Sequence, residues 1–113
     1  MLYKELTLRA NMPEDISTEI IYEVAVARAD RAEFLRINIL NEETGDVSFK
    51  KRYSTLIRIL KNMKSDGRIQ FFATKESFRL LNTEAIFLQN KYPSHFDYTN
   101  LLEENGDFIY IKL

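Results

Sequence analysis

The stretch EFLRINILNEETGDVSFKK, Glu33 to Lys51, decides how this chain is read. Within EFLRINIL the residues alternate: Leu35, Ile37 and Ile39 form an apolar row, and Phe34, Arg36, Asn38 and Leu40 form the other. That twofold period belongs to a strand with one side in a core. NEETGD supplies turn-forming residues, with Gly45 free to take a positive φ, and VSFKK can return as the partner strand. The spacing therefore predicts a β-hairpin over 35–51, its apolar row facing inward.

Working outward, LYKELTLRA alternates as a further strand, closed by Asn11 and Pro13. PEDISTEIIYEVAVARAD carries two patterns. Ile16, Ile20, Val24 and Ala27 keep helical spacing behind Pro13-Glu14-Asp15, while Ile20, Tyr22, Val24 and Val26 alternate as in a strand. The four alanines between Ala25 and Ala32 favour the helix. In STLIRILKNMKSDG, Ser54 is placed to cap a helix whose apolar side holds Leu56, Ile57, Ile59, Leu60 and Met63, with Gly67 as its stop. RIQFFAT reads as a short strand, and KESFRLLNTEAIFLQNKY as a helix up to Pro93, where Asn82-Thr83 offers a second cap and a change of axis. DFIYIKL is a last strand, Phe108 and Tyr110 opposing Ile109 and Ile111.

The expected fold is thus α+β: one small domain over 1–113 with a mixed or antiparallel sheet and helices on one face. Its element order is ferredoxin-like, β-α-β-β-α-β, plus an extra helix and strand. A chain of 113 residues is long enough to bury one core, and 45% hydrophobic with 29% charged residues places it among folded rather than disordered proteins.

Composition removes several chemistries. With no cysteine there is no disulfide, thiol nucleophile, iron–sulfur cluster or cysteine zinc site. Three isolated glycines write neither a dinucleotide loop nor a Walker loop. His95 is the only histidine, in YPSHFDY, and reads as a turn residue despite Ser94 and Asp97 beside it. Glu42, Glu43 and Asp46, and again Glu103, Glu104 and Asp107, flank turns without the ligand spacing of a calcium loop. No catalytic residue, metal or cofactor is nominated, so a small enzyme is left with an unidentified site. MLYKELTLRANM lacks the pattern of a signal peptide, and no run of about 18 apolar residues occurs, so the chain is expected in the cytoplasm without membrane insertion.

From Lys50 through Lys75, eight basic residues stand against Asp66 alone, in a chain of net charge −1. Lys50, Lys51 and Arg52 belong to the predicted hairpin end, Arg58 and Lys61 to the outer side of the next helix, and Arg68 to the entry of a strand. Phe72 shares a side of that strand with Arg68, Gln70 and Thr74 and is the candidate stacking aromatic. These seven are the candidate contacts to an anionic macromolecule.

The order basic amphipathic helix, acidic-glycine turn, strand in STLIRILKNMKSDGRIQFF resembles a winged-helix recognition helix running into its first wing strand. The flanks depart from that family: strand-like residues precede it where helices are expected, and a helical pattern follows Lys75. No residue role is carried over. Leu80, Phe87, Tyr92 and Phe96 exceed what one face of a small sheet requires and mark a protein interface, in the first instance with a second copy of the chain. The expected function is a small non-enzymatic binding or regulatory module with a basic surface from residues 50–75; the alternatives are an RNA- or DNA-binding protein and a small enzyme.

Overall fold

The computed structural model describes residues 2–9, 16–40, 47–104 and 106–113. Along the chain lie β1 (Tyr3–Arg9), α1 (Ser17–Ala29), β2 (Phe34–Leu40), α2 (Val47–Ser65) and β3 (Phe71–Thr74), then α3 (Lys75–Leu80), α4 (Thr83–Lys91), α5 (Tyr98–Glu103) and β4 (Asp107–Lys112). The four strands form one mixed sheet in the order β1-β2-β4-β3. β1 and β2 are parallel, and β4 is antiparallel to both its neighbours. The fold is α+β. Since β2 and β3 each oppose β4, they run the same way; α1 is the crossover between the parallel neighbours β1 and β2, and α2 carries the chain from β2 past the place of β4 to β3.

The predicted hairpin is absent. Residues 41–46 lie outside the described set, but Val47 through Lys51 form the first turns of α2 rather than a returning strand. Tyr53, Leu56, Leu60 and Met63 recur at three- and four-residue steps, and carried backwards that stripe runs through position 49, so the segment continues a helical period. Ser54, expected as the cap, is an exposed residue inside the helix. The order is therefore β-α-β-α-β-α-α-α-β, not the ferredoxin-like one. Of the two patterns over 16–30 the helical one, which the alanines favoured, is the one formed: Ile20, Val24 and Ala27 are the buried side of α1.

Helices cover both faces of the sheet, not one. On the first face Leu35, Ile37 and Ile39 of β2 and Ile109 and Ile111 of β4 pack against Ile20 and Val24 of α1 and Leu56, Leu60 and Met63 of α2. The opposite rows, Phe34 of β2 and Phe108 and Tyr110 of β4, meet Phe78 of α3, Leu88 of α4, Leu101 of α5, Tyr92 and Phe96. The two central strands are thus buried on both sides, which is why their alternation carries apolar residues in both rows.

The long helical pattern after Lys75 breaks at Leu81, as its second cap allowed. Asn82 Oδ1 accepts from the Ala85 N–H at 3.0 Å and starts α4, while a reciprocal Thr74–Ser77 capping box starts α3. The turn between them holds Leu81 at φ 51°, ψ 50°. A left-handed conformation costs an L-residue about 1–2 kcal/mol, and Leu81 is exposed, so little packing opposes its removal. Leu81→Gly is expected to stabilise the fold by about 0.5–1 kcal/mol after the added freedom of the unfolded glycine is subtracted, read as a higher urea midpoint at constant slope.

Candidate functional site

Because Lys50 and Lys51 belong to α2, the hairpin end and the helix are one piece. At 3.6 residues per turn Lys50, Lys61 and Lys64 fall within about 60° of one another, Arg58 about 60° further round, and the row spans about 21 Å of helix. Lys50, Lys51, Arg58 and Lys61 are exposed; the side chain of Arg52 lies outside the described residues. Among the described residues no carboxylate pairs with Arg58 or Lys61.

Beside this row runs a groove of about 460 Å³ between α2 and β3, closed on the far side by the starts of α3 and α4. Tyr53, Ile57, Lys61 and Lys64 line one wall, Phe72 and Thr74 the strand side, and Glu76 and Glu84 the far wall. Lys64 reaches across to Glu84 at 3.9 Å, an exposed pair of small energetic weight. A smaller cleft of about 370 Å³ against Tyr53, Ser54, Arg58 and Lys61 adjoins it. Phe72 and Lys61 thus line the same groove.

Arg68 does not join them. Its Nε and Nη2 hold Asp66 at 2.8 and 2.7 Å, and that contact keeps the Asp66 carboxyl below its ordinary range. The charge of Arg68 is matched within its own turn. Lys75 donates to the carbonyls of Glu104 and Gly106 at 2.6 and 3.0 Å, tying the start of α3 to the turn before β4. Of the interface candidates, Leu80 and Phe87 are exposed, whereas Tyr92 and Phe96 are buried in the second core.

A second concavity, about 390 Å³, opens over β1 and β2 beside α5 and includes Glu5, Arg36, His95, Glu104 and Tyr110. Arg36 is its hub: Nε donates to Asn38 Oδ1 at 2.6 Å, Nη1 to the Tyr110 hydroxyl at 2.6 Å and Nη2 to Glu104 Oε2 at 2.5 Å. Its carbon also lies 5.0 Å from the Phe108 ring centre, a cation–π contact. Burial pushes the Tyr110 phenol up to about 12, so it remains protonated at neutral pH. His95 sits among the rings of Tyr3, Phe34 and Phe96 at 4.6–5.0 Å. Burial first, and the charge of Arg36 second, lower its pKa.

This cluster is not legible from spacing, since its members are scattered from Glu5 to Tyr110. The signal for it was the pairing of Arg36 and Asn38 with Phe34 in one row of β2, combined with aromatics in the last third that needed a second face. The guanidinium is committed to three protein acceptors, so the geometry is that of a tie between α5 and the sheet. Asp97 likewise serves the start of α5, accepting from the Asn100 N–H at 3.3 Å. Among the described residues no three metal-binding side chains converge, and no helix is long and apolar enough to cross a membrane. Compared with known protein families, curated proteins and solved structures, the chain matches none.

Proposed function

We propose that this protein is a non-enzymatic binding module that holds an acidic, partly apolar protein segment against the outer side of α2. The observation that supports this is the placement of Lys61, exposed and without a carboxylate among the described residues, in a groove that also includes Ile57, Tyr53 and Phe72, with the equally exposed and unmatched Arg58 in the adjoining cleft. Charge attracts and orients the segment, and apolar side chains entering the groove hold it. Glu76 and Glu84 on the far wall pair with Arg79 and Lys64, so the unmatched positive charge is confined to the α2 side of the groove; that suits a short acidic segment with apolar side chains better than a continuous phosphate chain, which needs a longer basic track.

The test is fluorescence anisotropy with a labelled peptide of alternating Glu and Leu, run beside a mixed RNA oligonucleotide pool. Arg58→Glu combined with Lys61→Glu is expected to weaken peptide binding at least about tenfold, while Lys91→Glu at the far end of α4 leaves it unchanged. Absence of peptide binding at low salt overturns the proposal. Steeply salt-dependent binding to the RNA pool alone transfers the site to the nucleic-acid reading.

A further inference from the structure

The two margins of the sheet are not alike. β3 is four residues long, and α2 and the starts of α3 and α4 wall it in. Its pairing of Ala73 with Tyr110 and the bond from the Thr74 N–H to Ser77 Oγ at 3.0 Å leave only the backbone of Phe72 turned outward between them. β1 is seven residues long and has no strand on its outer side among the described residues. The Leu2 carbonyl accepts from the N–H groups of Glu33 and Phe34 at 2.8 and 3.4 Å. Alternation from that point turns the backbones of Lys4, Leu6 and Leu8 toward β2 and those of Tyr3, Glu5, Thr7 and Arg9 toward the open side. A long, unpaired margin is a template for another strand unless the chain blocks it, and β1 contains neither proline nor glycine.

We propose that the open side of β1 pairs antiparallel with β1 of a second copy of this chain, the two-fold axis passing through Thr7, to give a symmetric dimer with a continuous eight-stranded sheet. In this register Thr7 faces Thr7, and Glu5 of each copy stands opposite Arg9 of the other. Both are favourable cross-strand pairs, and both fall on residues whose backbone groups point outward. On the other face Leu6 stands opposite Leu8 and extends the first core across the seam. Moving the axis to Leu6 sets Lys4 against Leu8 and Glu5 against Thr7; moving it to Glu5 brings two carboxylates together. Charge therefore selects the Thr7 register. α1 lies against β1 and β2, and its exposed side carries Ile21 and Tyr22, 40% and 64% accessible. Continuing the sheet places the two copies of α1 on the same face, one on each side of the seam.

Sedimentation velocity on the intact chain tests this, the expected species being twice the 13.4 kDa chain mass. Thr7→Pro removes an outward N–H that has no bond among the described residues, so it is expected to give a monomer with unchanged circular dichroism. Glu5→Arg sets like charges at both ends of the seam and is expected to weaken the dimer by about tenfold or more. Arg9→Glu does the same, and mixing the two variants restores a dimer containing one of each. A wild-type chain that stays monomeric at about 100 μM overturns the proposal, that concentration corresponding to about 5.5 kcal/mol of association. A dimer that survives both Thr7→Pro and Glu5→Arg also overturns it, because the seam would then lie elsewhere.

Discussion

Phe34→Ala is expected to lower the unfolding free energy by about 3–5 kcal/mol, a large part of the about 5–15 kcal/mol that holds a domain together. Phe34 is fully buried at the point where the sheet meets the segment from Tyr92 to Phe96. Its ring lies 5.2 Å from Tyr3, 5.1 Å from Tyr92, 5.4 Å from Phe96 and 5.8 Å from Tyr110. Truncation removes the aromatic contacts of all these neighbours, and rings fixed from several elements cannot all move to fill the space. Equilibrium urea unfolding checks it, with Phe87→Ala as the contrast. Phe87 is 41% exposed and meets Phe71 edge-on at 5.5 Å, so its loss is expected to cost about 1–2 kcal/mol. Equal losses for the two would show that the second core is not organised around Phe34.

The next largest effect is expected at Arg36. Arg36→Met keeps much of the side chain's bulk but leaves the buried Tyr110 hydroxyl, Asn38 and Glu104 without their donor. Glu104 is half-exposed and can turn to water, whereas Tyr110 cannot. A loss of about 2–3 kcal/mol at neutral pH follows. A second reading comes from His95, the only histidine and hence a single resolved imidazole in an NMR titration. Burial is the larger cause of its lowered pKa and Arg36 the next, with Glu5 and Glu104 acting in the opposite direction. Removing Arg36 should move the His95 titration upward.

The sign of the pH effect follows from the same shift. Above the ordinary value of 6.5 His95 is neutral in both states and weakens nothing; as pH falls, the unfolded chain takes up its proton first, and stability is lost until pH passes the folded value. Arg36→Met is expected to narrow that window. An unchanged His95 titration in the variant would show that Arg36 does not act on it.

Much of the fold was legible because alternation is a strong local signal. β1, β2 and β4 fall where the twofold period placed them, β3 occupies the second part of RIQFFAT, Phe71–Thr74, and Gly67, at φ 84°, ends the turn after α2 as expected. VSFKK failed for a physical reason. Five residues with a β-branched and an aromatic member satisfy a strand, and only the stripe of the following helix shows that they extend it. The row Phe34, Arg36, Asn38 and Leu40 carries no apolar pattern that announces a second core, because an arginine is seldom enclosed. Here three acceptors and two rings satisfy it, so the helices of the last third could close over that face. For the basic surface the residue types were visible and their grouping was not. Lys50 joined the α2 row once the hairpin became helix, and Arg68 left it because Asp66 lies two residues away.

The position of β4 has a consequence for how the chain is made. It is the last of the four described strands, yet it lies inside the sheet, supplies residues to both cores and, among the described residues, is the only strand paired with β3. A nascent chain that has emerged only as far as Gly106 has β1 and β2 able to pair, but leaves β3 with no neighbour and β2 with an open side. Such an intermediate exposes apolar residues on two unfinished faces, so the emergence of β4 sets the earliest moment at which this sheet can be completed.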